Sequence, residues 1–309
     1  MALINDPIVS ICVPAYKYPD LLRRSLISII NQSYPFFEVI VTDDSGHDEL
    51  QQVVFEIGDE RIRYYKNPIP LGSPANWNEG IKHALGAWVK IMHHDDWFST
   101  NDALKEFMDA TNNNPKADFI FSNFFNSKPT GISLNKPLGK IYLKKIAAEP
   151  ATLIYLNGIG APSTIMYKRS INIRFDDASK WCVDVIFYTQ ILKQNSCFHY
   201  IQSPLLNVTA NAATQITNNT DGSIKVNEVI YSFDKFGYFS TKKTSMMFVI
   251  YFIELFKRYN IHHEKQIVNF GYNANIINKL KLALRLSKFP LHYKFFSLLR
   301  VLYYKYCPF

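Results

Sequence analysis

Between residues 8 and 122, short apolar runs alternate with amphipathic helical stretches, and this rhythm constrains the fold more than any other feature of the chain. Strands separated by helices form a mainly parallel sheet covered on both faces. Ile8 to Val13 reads as a strand, and Asp20 to Asn31 as a helix with Leu22, Leu26 and Ile29 or Ile30 on one face. Phe37 to Thr42 is a second strand, followed by the polar turn Asp43-Asp44-Ser45-Gly46 and a helix from about Asp48. Arg61 to Lys66 gives a third strand, and Gly72 and Pro74 punctuate entry into a helix running towards Leu85. Ala87 to Met92 is a fourth strand that ends at His93-His94-Asp95-Asp96-Trp97. A helix from Thr100 or Asn101 follows, and Asp118 to Ser122 closes the series. The expected class is α/β: a Rossmann-like, mainly parallel sheet flanked by helices, with a C-terminal helical extension.

After Asn123 the rhythm breaks. Residues 124–140 read as an irregular excursion with Pro129, Gly131, Pro137 and Gly139. Ser163 to Tyr167 reads as a strand and Val183 to Lys193 as a helix; residues 207–222, rich in Asn, Thr and Ala, read as a mobile loop. Beyond Ser223 the chain reads as helices. No internal repeat is present.

Composition excludes several classes. Of 309 residues 48% are hydrophobic, as in an ordinary globular protein. The longest clean apolar run, Met246 to Ile253, stops at Glu254 and is too short to span a bilayer. Met1 to Pro7 is short and polar, unlike a signal peptide. Cys12, Cys182, Cys197 and Cys307 have neither paired nor metal-ligand spacing, so free thiols in a reducing cytoplasm are expected. The net charge of +8 is uneven: from Thr241 onward twelve Lys or Arg face only Glu254 and Glu264, leaving the first 240 residues at −2. No nucleic-acid module is recognisable, and nucleic acid is not an expected partner.

In open parallel sheets ligands sit beyond the carboxyl ends of the strands. Three polar clusters fall there: Pro14-Ala15-Tyr16, Asp43-Asp44 and Asp95-Asp96. A single Asp after a strand is equally a turn or cap residue, and that reading stands for Asp43. Adjacent carboxylates repel, and a cation is a natural reason to hold Asp95 beside Asp96; the competing reading is a cap on the next helix. His93 and His94, neighbours on an extended chain, read as one core and one solvent-facing residue.

The ordered set Val9-Ser-Ile-Cys-Val-Pro-Ala-Tyr16, Val41-Thr-Asp-Asp-Ser45, Asn76-Trp-Asn-Glu-Gly80 and His94-Asp-Asp-Trp97 resembles the signature of inverting family 2 glycosyltransferases with the GT-A fold, over about residues 7–205. The resemblance implies that Pro14, Ala15 and Tyr16 frame the base and ribose of a nucleotide-sugar donor, with Asp44 accepting a hydrogen bond from the base. Asp95-Asp96 matches the DxD element. Asp96 would then ligate Mn²⁺ or Mg²⁺, and Asp95 would hold the ribose or sugar. Asn76 and Asn78 are expected polar contacts to the donor.

Inversion also needs a carboxylate to take the acceptor's proton. Trp181-Cys-Val-Asp-Val-Ile-Phe187 resembles the family's ED-type motif, which places the base at Asp184, with Val183 where many relatives have Glu. Asp176 and Asp177 are the nearest rivals, and the alternative role for Asp184 is a helix N-terminal residue favoured by the dipole. Relatives often carry Arg where Trp77 stands, and Arg or His within the segment matching Asn207 to Gln215; neither is present here.

These features predict a catalytic domain over 1–222, with a nucleotide-sugar half to about 123 and an acceptor half from 124, and a helical extension over 223–309. The resemblance implies a UDP-linked donor and a glycan acceptor, lipid-linked, in surface-polysaccharide synthesis. The basic aromatic stretch 241–309 reads either as a membrane-docking surface on the inner leaflet or as a packed helical lid. A scaffold that keeps the fold without turnover is the alternative from another class. A nucleotidyltransferase would need a glycine-rich phosphate loop near the start, and Pro14 to Asp20 has no glycine.

Overall fold

A computed structural model of the chain describes residues 8–210, 220–240, 245–268, 272 and 274–306. Among the described residues nine strands form one mixed sheet. β1 (Val9–Ala15), β2 (Phe37–Asp43), β3 (Ile62–Lys66) and β4 (Trp88–Ile91) lie in the order β3-β2-β1-β4 and are parallel to one another. β1, β2 and β4 are buried at every residue, which is why they read as continuous apolar runs rather than alternating ones. The helices between them are α1 (Pro19–Ile30), α2 (Glu49–Ile57) and α3 (Ala75–Lys82). α1 buries Leu22, Ser25, Leu26 and Ile29, the face its periodicity predicts.

Beyond β4 the sheet turns mixed. β5 (Trp97–Phe98) pairs antiparallel with β9 (Phe198–Thr209), and α4 (Ala103–Asn113) leads to β6 (Phe119–Lys128). β8 (Ile165–Lys168) is antiparallel to both β4 and β6, whereas β6 and β9 run parallel. The excursion expected after Asn123 is instead a hairpin: β6 continues to Lys128 and returns as β7 (Gly131–Leu134). Pro129 and Thr130 form its two-residue turn, closed by Gly131 at φ +126°. A register shift against β9 between Ser122 and Phe124 breaks the alternation there, so the sequence pattern stops early. β9 also enters the expected loop as far as Thr209, while residues 211–219 of that loop lie outside the described residues.

Two compact units divide the chain. One, comprising 1–137, 159–178 and 190–215, contains the sheet. The other gathers 138–158, 179–189 and 216–309 and is helical. Its helices include α5 (Lys140–Ala148) and α6 (Thr152–Tyr155), neither anticipated from sequence, and the N-terminal part of α7 (Val183–Gln194). Helices Gly222–Lys235, Met246–Arg258, Ala274–Leu286 and Tyr293–Tyr306 make up the expected C-terminal extension. Phe248, Tyr251, Phe252 and Phe256 are core residues, and buried Glu254 is paired by Arg300 at 2.7 Å. Lys242, Lys243 and Cys307 lie outside the described residues.

β1 and β4 approach closely because Gly86 precedes β4. A Cβ there would meet the Ser10 nitrogen at 2.7 Å and the Val9 carbonyl carbon at 2.8 Å, both backbone atoms. Gly86→Ala is expected to lower stability by about 1–3 kcal/mol, measured by denaturant unfolding. An unchanged midpoint would show that the strands can part without cost.

Candidate active site

The loops after β1, β2 and β4 are neighbours, because Ala15 pairs with Asp43 and Cys12 with Ile91 across adjacent strands. Pro14 and Ala15 are buried at the end of β1, whereas the Tyr16 ring is 47% exposed, with the Lys17 ammonium 4.8 Å from its centroid. Lys17 and Tyr18 adopt left-handed backbone at φ +56° and +53°. Two consecutive non-glycine residues in that region cost about 1–2 kcal/mol each, and such strain concentrates at functional sites.

Asp44 is buried and nearly saturated. Its carboxylate accepts the Leu71 and Gly72 backbone N–H groups at 2.7 Å each and the Asn67 amide at 2.8 Å. It therefore shapes the 67–72 loop and keeps little acceptor capacity for another group. Asp43 closes its own turn by accepting Ser45 N–H at 2.7 Å and also accepts a hydrogen bond from the Tyr64 hydroxyl, in keeping with the turn reading. Asn76 bridges Thr42 and Asn67, and Asn78 exchanges two 2.9 Å bonds with the Phe175 backbone. Both amides are engaged within the protein.

His93-His94-Asp95-Asp96 follows β4. Because β4 ends at Ile91, strand alternation does not govern these residues. The Nε2 atoms of both histidines are buried without a hydrogen-bond partner, so the expectation of one solvent-facing ring is corrected. Burial pushes the pKa of His93 down to about 4, and burial likewise depresses that of His94, whose ring donates to the Pro14 carbonyl. Asp96 is 2% exposed. Burial first, then the Asp95 charge, hold it well above the usual carboxylate range, against hydrogen bonds from Ser163 and Thr209. The Thr209 N–H bond is 2.8 Å long. One ligand atom from each of His93, Asp95 and Asp96 lies within 4.8 Å of the others. Ions bound by oxygen or nitrogen at about 2.1 Å span about 4.2 Å between opposite ligands, so this donor set fits a divalent cation after small side-chain adjustment.

Three supporting residues escaped the sequence reading. Lys90, fully buried, donates to the Ile91 and Ser163 carbonyls, and burial lowers its pKa to about 7 against the attraction of Asp96. Its signal was a lone Lys within Trp88-Val-Lys-Ile-Met92. Ser163 accepts His93 N–H at 2.9 Å while donating to Asp96, and Thr209 caps the pair from β9; neither had a local signal.

Asp184 belongs to the helical unit, in the first turn of α7. It accepts the Val185 N–H at 2.8 Å and the Asn157 amide at 2.8 Å. Burial raises its pKa to about 6 even though these bonds favour the charged form. Its rivals Asp176 and Asp177 lie in the sheet unit, where Asp177 accepts from Asn78 at 3.3 Å. The approach to α7 is held by buried Glu228, whose carboxylate accepts N–H groups of Lys180, Trp181 and Cys182 at 2.7–3.0 Å and the Ser179 hydroxyl at 2.6 Å.

With this geometry in view, the glycosyl transferase family 2 model matches residues 10–175, more than half of the chain. The chain belongs to glycosyltransferase family 2. It is similar to the Escherichia coli UDP-Glc:alpha-D-GlcNAc-diphosphoundecaprenol beta-1,3-glucosyltransferase WfgD, 26% identical over 62% of this chain and 73% of that one. Among solved structures it resembles S. aureus TarS 1-349 in complex with UDP-GlcNAc, at TM-score 0.61 and 16% identity over 90% of each chain. It also resembles the mannosyltransferase PcManGT from Pyrobaculum calidifontis in complex with GDP-Man and Mn²⁺, at TM-score 0.53 and 16% identity over 96% of this chain and 79% of that one. The fold is GT-A, as the sequence implied, and the chain is a glycosyltransferase.

Glu228→Ala removes the acceptor for four donors and is expected to cost about 3–5 kcal/mol, against less for Glu228→Gln, measured by thermal unfolding. Equal melting temperatures for both variants and the wild type would remove Glu228 as the anchor of α7.

Proposed function

We propose that this family 2 glycosyltransferase moves a sugar from a UDP-linked donor to an acceptor hydroxyl with inversion at the anomeric carbon. The observation that carries the reading is the pairing of buried Asp96 with half-buried Asp95 and His93 beside the exposed Tyr16 ring, at the ends of neighbouring strands. Tyr16 offers a face to the base, framed by Pro14 and Ala15. Asp44, Asn76 and Asn78 set the loops around it, and the remaining acceptor capacity of Asp44 serves the base. Asp95 serves the ribose or sugar. Asp96 would hold Mn²⁺ or Mg²⁺, which when bound neutralises the departing diphosphate.

Asp184 is the proposed base. The acceptor oxygen forms its bond to the anomeric carbon as the carbon–oxygen bond to the diphosphate breaks. The electron pair leaves with the diphosphate, and the hydroxyl proton passes to the Asp184 carboxylate. A pKa near 6 suits this task, because the group is ionised at neutral pH yet more basic than an ordinary carboxylate. Because only the ionised carboxylate can take the proton, activity is present above the pKa and lost as pH falls through it. With one controlling group, kcat/KM should fall tenfold per pH unit below about 6. Asp184→Asn should lower kcat by about 10²–10⁴-fold with donor binding intact. Full activity in that variant would transfer the role elsewhere.

The acceptor is proposed to be a lipid-linked glycan, by analogy with the diphosphoundecaprenol substrate in the name of WfgD. Access to such an acceptor is proposed to be peripheral, at the cytoplasmic face; among the described residues no helix is long and apolar enough to cross a membrane. Support comes from the last helix. Phe296, Arg300 and Tyr304 are buried, while Phe295, Leu298, Leu302 and Tyr306, 43–56% exposed, form a stripe along another face. From Lys265 to Phe309 the sequence has eight Lys or Arg and no acid, a balance that fits anionic lipid headgroups. The full chain should float with phosphatidylglycerol vesicles but not with phosphatidylcholine ones, and Leu298→Glu/Leu302→Glu should abolish flotation. Unchanged flotation in that variant, or a stripe buried in a dimer at working concentration, would contradict membrane docking.

A further inference from the structure

We propose that His93 is a nitrogen ligand to the donor-site cation and that it tilts the site towards a transition-series ion over magnesium. The inference rests on the donor-site reading and adds to it a ligand outside the carboxylate pair.

The two acids alone would make an all-oxygen site. His93 changes its chemistry. A ring nitrogen of His93 lies within 4.8 Å of carboxylate oxygens from both Asp95 and Asp96. The residue is fixed at two points. Its backbone N–H donates to Ser163 Oγ at 2.9 Å, and its ring packs on Trp77 with centroids 4.7 Å apart. Trp77 is in turn held edge-on by Phe175 at 5.0 Å. An aromatic wall therefore supports the imidazole on that side. Its Nε2 is buried with no hydrogen-bond partner, an arrangement that calls for an explanation in any folded protein.

Magnesium demands oxygen ligands in near-ideal octahedral array and keeps most of its water. Imidazole suits the softer first-row ions best, and Mn²⁺, the hardest of that series, still accepts a nitrogen ligand more readily than Mg²⁺, so a His-Asp-Asp donor set favours such ions. Trp77 supports the same outcome. A cationic side chain at position 77 would repel both the ion and a metal-bound ring, whereas the indole supplies a neutral surface.

The test uses Mn²⁺ with UDP on the full chain, read by pulsed electron paramagnetic resonance, together with calorimetric competition by Mg²⁺. Wild type should show a nitrogen coupling to bound Mn²⁺ that changes isotope pattern in protein labelled with ¹⁵N-histidine, which needs no mutation. His93→Asp should keep Mn²⁺ bound, lose the coupling, and narrow the Mn²⁺ over Mg²⁺ preference by about tenfold. His94→Asn should retain the coupling. Mn²⁺ bound with UDP but without nitrogen coupling would overturn the role of His93 and leave the donor site standing. Coupling that persists in His93→Asp would overturn it equally. Absence of any Mn²⁺ and UDP binding in wild type would overturn both.

Discussion

Two adjacent carboxylates, one of them almost wholly buried, are the constraint around which the sheet unit is arranged. Asp96 is withdrawn from water beside Asp95, a costly placement unless charge and hydrogen bonds compensate. The compensation comes from Lys90 within β4 and from two distant parts of the chain, Ser163 before β8 and Thr209 at the end of β9. β4 must lie beside β8 for the first two to meet, and β5 must pair with β9 to bring Thr209 over the pair. The antiparallel strands thus have a task that the parallel half does not share. They close over the carboxylates that the parallel half delivers.

The helical unit follows a similar logic with one acid in place of two. Asp184 sits at the start of α7, where the dipole and two hydrogen bonds favour its charge while burial opposes it. Glu228 gathers the backbone donors just before that helix and so fixes where α7 begins. The buried Glu254–Arg300 pair ties the last helix to the one beginning at Met246. That last helix is apolar on more than one face, and the exposed face, flanked by cations, is what the proposed membrane contact would use.

How much of this was legible depends on where each residue's partners lie. β1, β2 and β4 were readable because strands buried on both faces leave unbroken apolar runs. The helix over Asp20 to Asn31 was readable because Leu22, Leu26 and Ile29 repeat at helical spacing. The far end of β6 was not, since the shift at Ser122 to Phe124 breaks its period. The Asp pair announced itself as a tandem acid after a strand. His93 did not, because its meaning depends on Trp77 and Ser163, sixteen residues before it and seventy after. Glu228 falls in a stretch whose sequence pattern says only that it is helical; its contacts with residues 179–182 are what make it an anchor. Local patterns carried the framework, and long-range polar contacts carried what the sequence hid.

The most direct test of the donor site is a calorimetric titration of UDP into the full chain, with Mn²⁺ and with EDTA, on wild type and on Asp96→Ala. The account predicts tight binding by wild type with Mn²⁺, weakened by EDTA, and the same weak binding by Asp96→Ala with or without the ion. Equal affinity under all four conditions would contradict it, and would leave Asp95 and Asp96 as a structural pair with no part in holding a nucleotide.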